Sequence, residues 1–313
     1  MKDVKRGLPC RPDKGKRKIL GTAGERFPIM LLRPYVFKRV AIVGVGLMGG
    51  SLGMAIKKHR LAREVIGLSH RQAALDQAVK MNAIDTPCLD VKKAISNADL
   101  VVLATPVDSI IKLFTTINPY LKRGCIVTDV GSAKAKIIEY GEKTLSAPSF
   151  FVGSHPLAGS EKKGVTNATA DLFEGLTCIM TPTNKTNQVA KQKVKHFWTK
   201  LGMEVKLLPP EEHDEILAYV SHLPHLVAYG LMSGIPSKFL DYASQGLKDT
   251  SRVAASSPQM WSDICMANSK NILNALDQCV EYLSYFRKAI GNRDQKSLMQ
   301  YFTQAQEKRN KLK

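Results

Sequence analysis

No stretch of the 313 residues approaches the ~18 consecutive apolar residues that a membrane-spanning helix needs. Cysteine is scarce and scattered: Cys10, Cys88, Cys125, Cys178, Cys265 and Cys279 form no C-x-x-C and no metal-ligand spacing. That excludes a disulfide scaffold and a zinc ribbon, and leads us to expect reduced thiols in a cytoplasmic protein with no bound metal. His213 has no histidine four residues on, so the zinc-protease helix is absent too. The net charge of +19 suggests nucleic acid until it is located: residues 1–39 carry twelve Lys/Arg against three Asp/Glu, nearly half of it. The rest of the excess is diffuse and lacks a basic stripe interleaved with aromatics, so it suits small anionic ligands and no nucleic acid is expected as a partner. The leader, residues 1–38, has no serine and no apolar core, unlike transit and signal peptides. It is expected to be disordered, or to precede a natural start at Met30.

What is present begins at residue 39. Residues 40–43 form a β-branched apolar run of the kind that makes a buried parallel strand. Gly44, Gly46 and Gly49 follow as G-x-G-x-x-G, and a helix is expected from residue 50 to 58. The first glycine permits the turn, the second admits a pyrophosphate close to the backbone, and the third lets helix and strand pack closely. With Leu47 and Met48 between them, these residues are candidate dinucleotide ligands at a helix N-terminus. The second strand, residues 64–69, ends in Ser69-His70-Arg71, where an NAD user carries a carboxylate about 20 residues past the glycines. No acidic group is there to repel a 2′-phosphate, and Arg71 can bind one. Arg71 as the solvated start of the next helix is an equal alternative, so NADP, or dual NAD/NADP use, is only favoured. Residues 99–106 read as a strand that ends with Thr105 and Pro106 at the same crevice.

Strands at 125–130 and 150–155 continue the alternation with helices, and strands at 176–180 and 204–208 are expected to extend the sheet. At Pro209-Pro210 the pattern changes to helices broken near Pro224, Pro236 and Pro258. The expected architecture is a doubly wound parallel-sheet (Rossmann-type) α/β domain over 39–208. An all-helical domain over 209–313 follows, packing on the crevice and on a second subunit.

Ser132 and His155 are each placed just past a strand, where ligands of such sheets bind. A histidine beside a nicotinamide suits general-base removal of a hydroxyl proton, although a lone histidine after a strand is as readily structural. A second cluster opens the helical region: Glu212-His213-Asp214, then Ser221-His222-Leu-Pro-His225. Lys248-Asp-Thr-Ser-Arg252 offers a guanidinium for a carboxylate.

The glycine turn, Asp129-Val-Gly-Ser-Ala-Lys134, His155-Pro-Leu-Ala-Gly-Ser-Glu161, Glu212-His-Asp214, Ser221-His-Leu-Pro-His225 and Lys248-Asp-Thr-Ser-Arg252 stand in order from about residue 38 to the C-terminal helices. Together they resemble the prephenate/arogenate dehydrogenase family of tyrosine biosynthesis. The resemblance implies a homodimer and the oxidative decarboxylation of prephenate to 4-hydroxyphenylpyruvate and CO2. It implies His155 as base on the ring hydroxyl, Ser132 as a partner for that hydroxyl, and Arg252 on a substrate carboxylate. His213, Asp214, Glu161, Ser221 and His225 become substrate-site positions, and Trp261 one that reaches across the dimer. Arogenate or dual-specificity cyclohexadienyl dehydrogenase is the near alternative; a nucleotide-sensing protein without turnover is the distant one.

Overall fold

The computed structural model describes residues 35–145, 150–160 and 162–312. Its main sheet is parallel throughout, with strand order β3-β2-β1-β4-β5-β6. These are β1 (Phe37–Val43), β2 (Ala62–Leu68), β3 (Thr86–Cys88), β4 (Leu100–Leu103), β5 (Ile126–Asp129) and β6 (Phe150–Val152). Strands β1 and β4 neighbour each other where the strand order reverses, the position at which ligands enter such sheets. Helices α1 (Leu47–Lys58), α2 (Gln72–Lys80), α3 (Val91–Ile95), α4 (Val107–Ile117) and α5 (Ala135–Thr144) make the crossovers. Val40, Ile42, Leu100 and Val102 face one buried layer and Ala41, Val101, Leu103 and Val127 the other, so both faces of the sheet are covered.

Several expectations need correction. The strand expected over 99–106 stops at Leu103. The edge strand β3 and the short helix α3 were not anticipated; Pro87 inside β3 masks a strand that only a sheet edge tolerates. The single strand expected over 150–155 is two, β6 and β7 (Ser154–Pro156), in different sheets. Gly153 is the crossing point. A Cβ there would sit 2.4 Å from Ile138 Cδ1 and 2.6 Å from Thr181 Oγ1, so only glycine lets the layers meet. Its carbonyl accepts from Thr181 N at 3.0 Å, which draws the chain away from β5. The strands β8 (Thr177–Met180) and β9 (Glu204–Leu207), flanking α6 (Gln188–Lys200), therefore do not extend the parallel sheet. They join β7 in a second sheet of order β7-β8-β9, antiparallel between β7 and β8 and parallel between β8 and β9.

From Pro210 onward the described chain is helical. It comprises α7 (Pro210–Leu217), α8 (Leu223–Gly234), α9 (Gln245–Ser251), α10 (Pro258–Ala267), α11 (Ser269–Gly291) and α12 (Gln295–Asn310). Pro224 does not break its segment as expected. A π turn over Ala218–His222 joins α7 to α8 and leaves Pro224 in the first turn of α8, where its missing N–H costs nothing. Residues of α11 such as Leu273, Val280, Leu283 and Ile290 lie exposed, while only Ile272, Ala275 and Ala289 are buried.

Candidate active site

The glycine turn has the geometry its spacing demands. Gly44 has φ +98°, a conformation L-residues avoid. A Cβ on Gly49 would lie 1.9 Å from the Gly44 carbonyl oxygen, so α1 can approach β1 only with glycine there. Gly46 caps α1 with open space around its Cα, no side chain caps the helix, and no acidic residue stands in its first turn. The first N–H groups of α1, near Leu47 and Met48, thus have no acceptor among the described residues, as an anion site requires. Across the crevice Thr105 Oγ1 is buried without a hydrogen-bond partner among the described residues. An open glycine cradle and an orphaned hydroxyl are what a dinucleotide would fill and satisfy. At the far edge Ser69 Oγ accepts from Arg71 N at 3.2 Å, and His70 and Arg71 are exposed. Arg71 is the N-cap residue of α2.

His155 lies within β7, not past a strand as expected, and is 8% exposed. Its Nδ1 is 2.9 Å from His213 Nε2, and His213 Nδ1 is 2.8 Å from Asp214 Oδ1. Asp214 also accepts from two backbone groups at the start of α5, Lys134 N at 2.7 Å and Ala135 N at 2.9 Å. Burial alone would raise the Asp214 carboxyl. The hydrogen bonds from His213, Ala135 and Lys134 outweigh it and hold the group below the usual carboxylate range.

This file of groups dictates proton positions. An ionised Asp214 can only accept, so His213 carries its proton on Nδ1 and presents a lone pair at Nε2. His155 must then donate from Nδ1, which leaves the lone pair on its own Nε2. Burial, then the neighbouring His213, Lys134 and His222, push the His155 pKa well below 6.5, so the ring is neutral at pH 7. Burial lowers His213 as well, against the opposing pull of Asp214. The arrangement is a neutral base with a preset tautomer.

Beneath it lies a pair that the motif reading passed over. Lys134 and Asp129 are both fully buried and form an ion pair. Lys134 Nζ also donates to the Ser154 carbonyl at 2.9 Å, while Asp129 accepts from Ser154 N at 3.1 Å and Gly131 N at 2.9 Å. Opposite charges five residues apart around a Gly-Ser turn were the available signal. Ser132 sits partly buried in that turn and makes no hydrogen bond to His155 among the described residues.

The helical region supplies a second wall. The ring of His225 stacks on Trp261 with centroids 3.7 Å apart, and its Nδ1 donates to the carbonyl of Ser221 at 2.9 Å. Ser221 thus contributes through its backbone. Burial lowers the His225 pKa, opposed by the Ser221 carbonyl and aided by the cationic Arg252 nearby. Trp261 is 6% exposed and packs on His222 and His225 of its own chain. Glu161 lies outside the described residues. Among those described, no group of His, Cys, Asp and Glu could hold a metal ion, and no helix is long and apolar enough to cross a membrane.

Comparison with known proteins places this geometry. Residues 52–207 match the family model "Prephenate dehydrogenase, nucleotide-binding domain", and residues 209–304 match "Prephenate dehydrogenase, dimerization domain". The chain is 32% identical over 280 residues to the prephenate dehydrogenase of Bacillus subtilis, covering 87% of this chain and 76% of that protein. It is 34% identical over 285 residues to the cyclohexadienyl dehydrogenase of Zymomonas mobilis, covering 89% and 97%. Among solved structures it resembles prephenate dehydrogenase from A. aeolicus in complex with hydroxyphenyl propionate and NAD+, with TM-score 0.82, 31% identity, and coverage of 88% and 98%. The two matched models meet where the sheets give way to helices, and the chain belongs to the prephenate dehydrogenase family of nicotinamide-dependent oxidoreductases.

Proposed function

We propose that the protein oxidatively decarboxylates prephenate to 4-hydroxyphenylpyruvate and CO2, with His155 as the base on the ring hydroxyl. The hydrogen-bonded file Asp214–His213–His155 is the observation that carries this reading. Residues 39–208 are taken as the nucleotide domain and 209–313 as the helical substrate and dimerisation domain. Gly44, Gly46, Leu47, Met48, Gly49, Thr105 and Pro106 would hold the dinucleotide, with Ser69, His70 and Arg71 at its 2′ edge. When bound, the nicotinamide accepts hydride from the carbon that bears the hydroxyl.

The chain's own residues do the rest. His155 Nε2 accepts the hydroxyl hydrogen as that carbon loses electrons. Positive charge that would build on the oxygen is relieved, and the ring carboxylate can depart as CO2 with its bonding pair entering the ring. The product is a phenol, so the proton is borrowed and returned, and His155 ends the cycle neutral. Arg252 grips a substrate carboxylate beside His225, and Ser132 lies at the hydroxyl end. Burial of the base excludes competing water. The exposed apolar residues of α11 support a homodimer through the helical region. The five cysteines among the described residues are unpaired, which supports a reduced, cytoplasmic setting.

The test follows reduced-cofactor absorbance with prephenate or arogenate and with NAD or NADP. His155→Asn should lower turnover about 100-fold or more while cofactor affinity holds. Turnover close to the parent's would remove His155 from the role. The missing carboxylate at Ser69-His70-Arg71 leads us to expect NADP or dual use. Arg71→Ala that leaves NADP affinity unchanged would refute that.

A further inference from the structure

The base and its orienting partners leave one buried histidine unused. His222, in the π turn between α7 and α8, is 1% exposed. Its Nδ1 lies 3.2 Å from Asn268 Nδ2, and the same Asn268 nitrogen donates to the carbonyl of Asp214 at 2.6 Å. A carbonyl only accepts, so that atom of Asn268 is the amide nitrogen and its second hydrogen faces His222. The Asn268 oxygen correspondingly accepts from Asn271 at 2.9 Å. His222 Nδ1 is therefore an acceptor, and the ring carries its proton on Nε2.

That N–H is buried and has no acceptor among the described residues. The indole N–H of Trp261 is in the same condition, and the two rings meet edge to face with centroids 5.9 Å apart. Buried donors are almost always satisfied, so two orphans on touching rings point to an acceptor that the chain alone does not supply. Their setting narrows its chemistry. The Trp261 ring stacks on His225 with centroids 3.7 Å apart, His225 also bears on His222, and the cationic Arg252 bears on His225. Burial, with smaller contributions from His213 and His225 against the opposing Asp214, lowers the His222 pKa to about 4, so it is a neutral donor at pH 7.

We propose that His222 is a substrate-binding residue whose Nε2–H, seconded by the indole N–H of Trp261, donates to a carboxylate oxygen of the bound substrate. This rests on the prephenate reading above. The carboxylate is either the one on the ring or the one on the side chain, and the two can be told apart.

The experiment uses the full-length enzyme carrying His222→Phe, His222→Gln and Trp261→Phe. Steady-state kinetics with prephenate are joined by binding of NAD and of 4-hydroxyphenylpropionate, which has the side-chain carboxylate and no ring carboxylate. His222→Phe should raise KM for prephenate about tenfold or more with NAD affinity unchanged. His222→Gln, which restores an N–H near the Nε2 position, should recover most of the loss, and Trp261→Phe should give a smaller increase. Weakened 4-hydroxyphenylpropionate binding in His222→Phe assigns the side-chain carboxylate; unchanged binding assigns the ring carboxylate. An unchanged KM for prephenate in His222→Phe overturns the proposal, as does an altered monomer–dimer equilibrium without a KM effect. Should His222→Phe fail to fold, Trp261→Phe retaining the parent KM would overturn it equally. A parent enzyme with no turnover of prephenate would instead refute the functional reading itself.

Discussion

Lys134→Met removes one member of a fully buried ion pair. It leaves Asp129 with only the backbone donors Gly131 N and Ser154 N, and strips the Ser154 carbonyl of its partner. Breaking a buried pair from one side typically costs about 3–5 kcal/mol, because the remaining charge stays desolvated. For a chain of this size that corresponds to roughly 6–10 °C in Tm at fixed protein concentration. Asp129→Asn/Lys134→Met removes both charges and should recover much of the loss. A second readout tests the link to the base. The Lys134 ammonium helps depress the proton affinity of His155. Without that cation the imidazolium is less disfavoured, so the acid limb of kcat against pH should move to higher pH in Lys134→Met. Thermal and urea unfolding measure the first effect, and a pH series of prephenate turnover the second. A loss below about 1 kcal/mol would contradict the desolvated pair. An acid limb that stays in place, or moves lower, would show that Lys134 does not tune the base.

His213→Phe should lower kcat by roughly 10–100-fold, the scale on which outer orienting partners act, with the NAD dissociation constant unchanged; parent-like turnover would mean that His155 needs no tautomer control. Arg252→Ala should chiefly raise KM for prephenate, by about 10- to 100-fold, since a charge-assisted contact is lost; an unchanged KM would argue against carboxylate binding there. Acid should destabilise the fold in a defined window. His222 binds its proton near pH 6.5 when unfolded but only at about 4 when folded, so the unfolded state gains protons first as pH falls. About 3 kcal/mol should be lost between those values, with no further loss from this group below them, as read by urea unfolding at pH 7 and 4.5. The parent protein and His222→Gln showing the same drop would refute that attribution.

Local chemistry made part of this legible in the sequence. The turn at Gly44, Gly46 and Gly49 depends on backbone sterics within a few residues, and the apolar runs of β1, β4 and β5 signal a sheet covered on both faces. Helix α4 depends on equally local features: Pro106 precedes it and its apolar face repeats at helical spacing. The motifs from Asp129 to Arg252 marked the site because each keeps reactive groups on a short segment. What the sequence did not disclose depends on contacts between distant segments. The crossing at Gly153 follows from Ile138 and Thr181 closing on a position with no Cβ, and it sets His155 in a second sheet. The separate sheet β7-β8-β9 follows from that crossing. The file from Asp214 to His155 depends on the contact of His213 with His155, 58 positions apart. Which nitrogen of His155, His213 and His222 carries a proton was decided by the backbone N–H groups of Lys134 and Ala135, which keep Asp214 an acceptor, and by the carbonyl of Asp214. A residue type states what a side chain can donate or accept; only the fold states what stands opposite it, and here that fixed the proton on His155, His213 and His222.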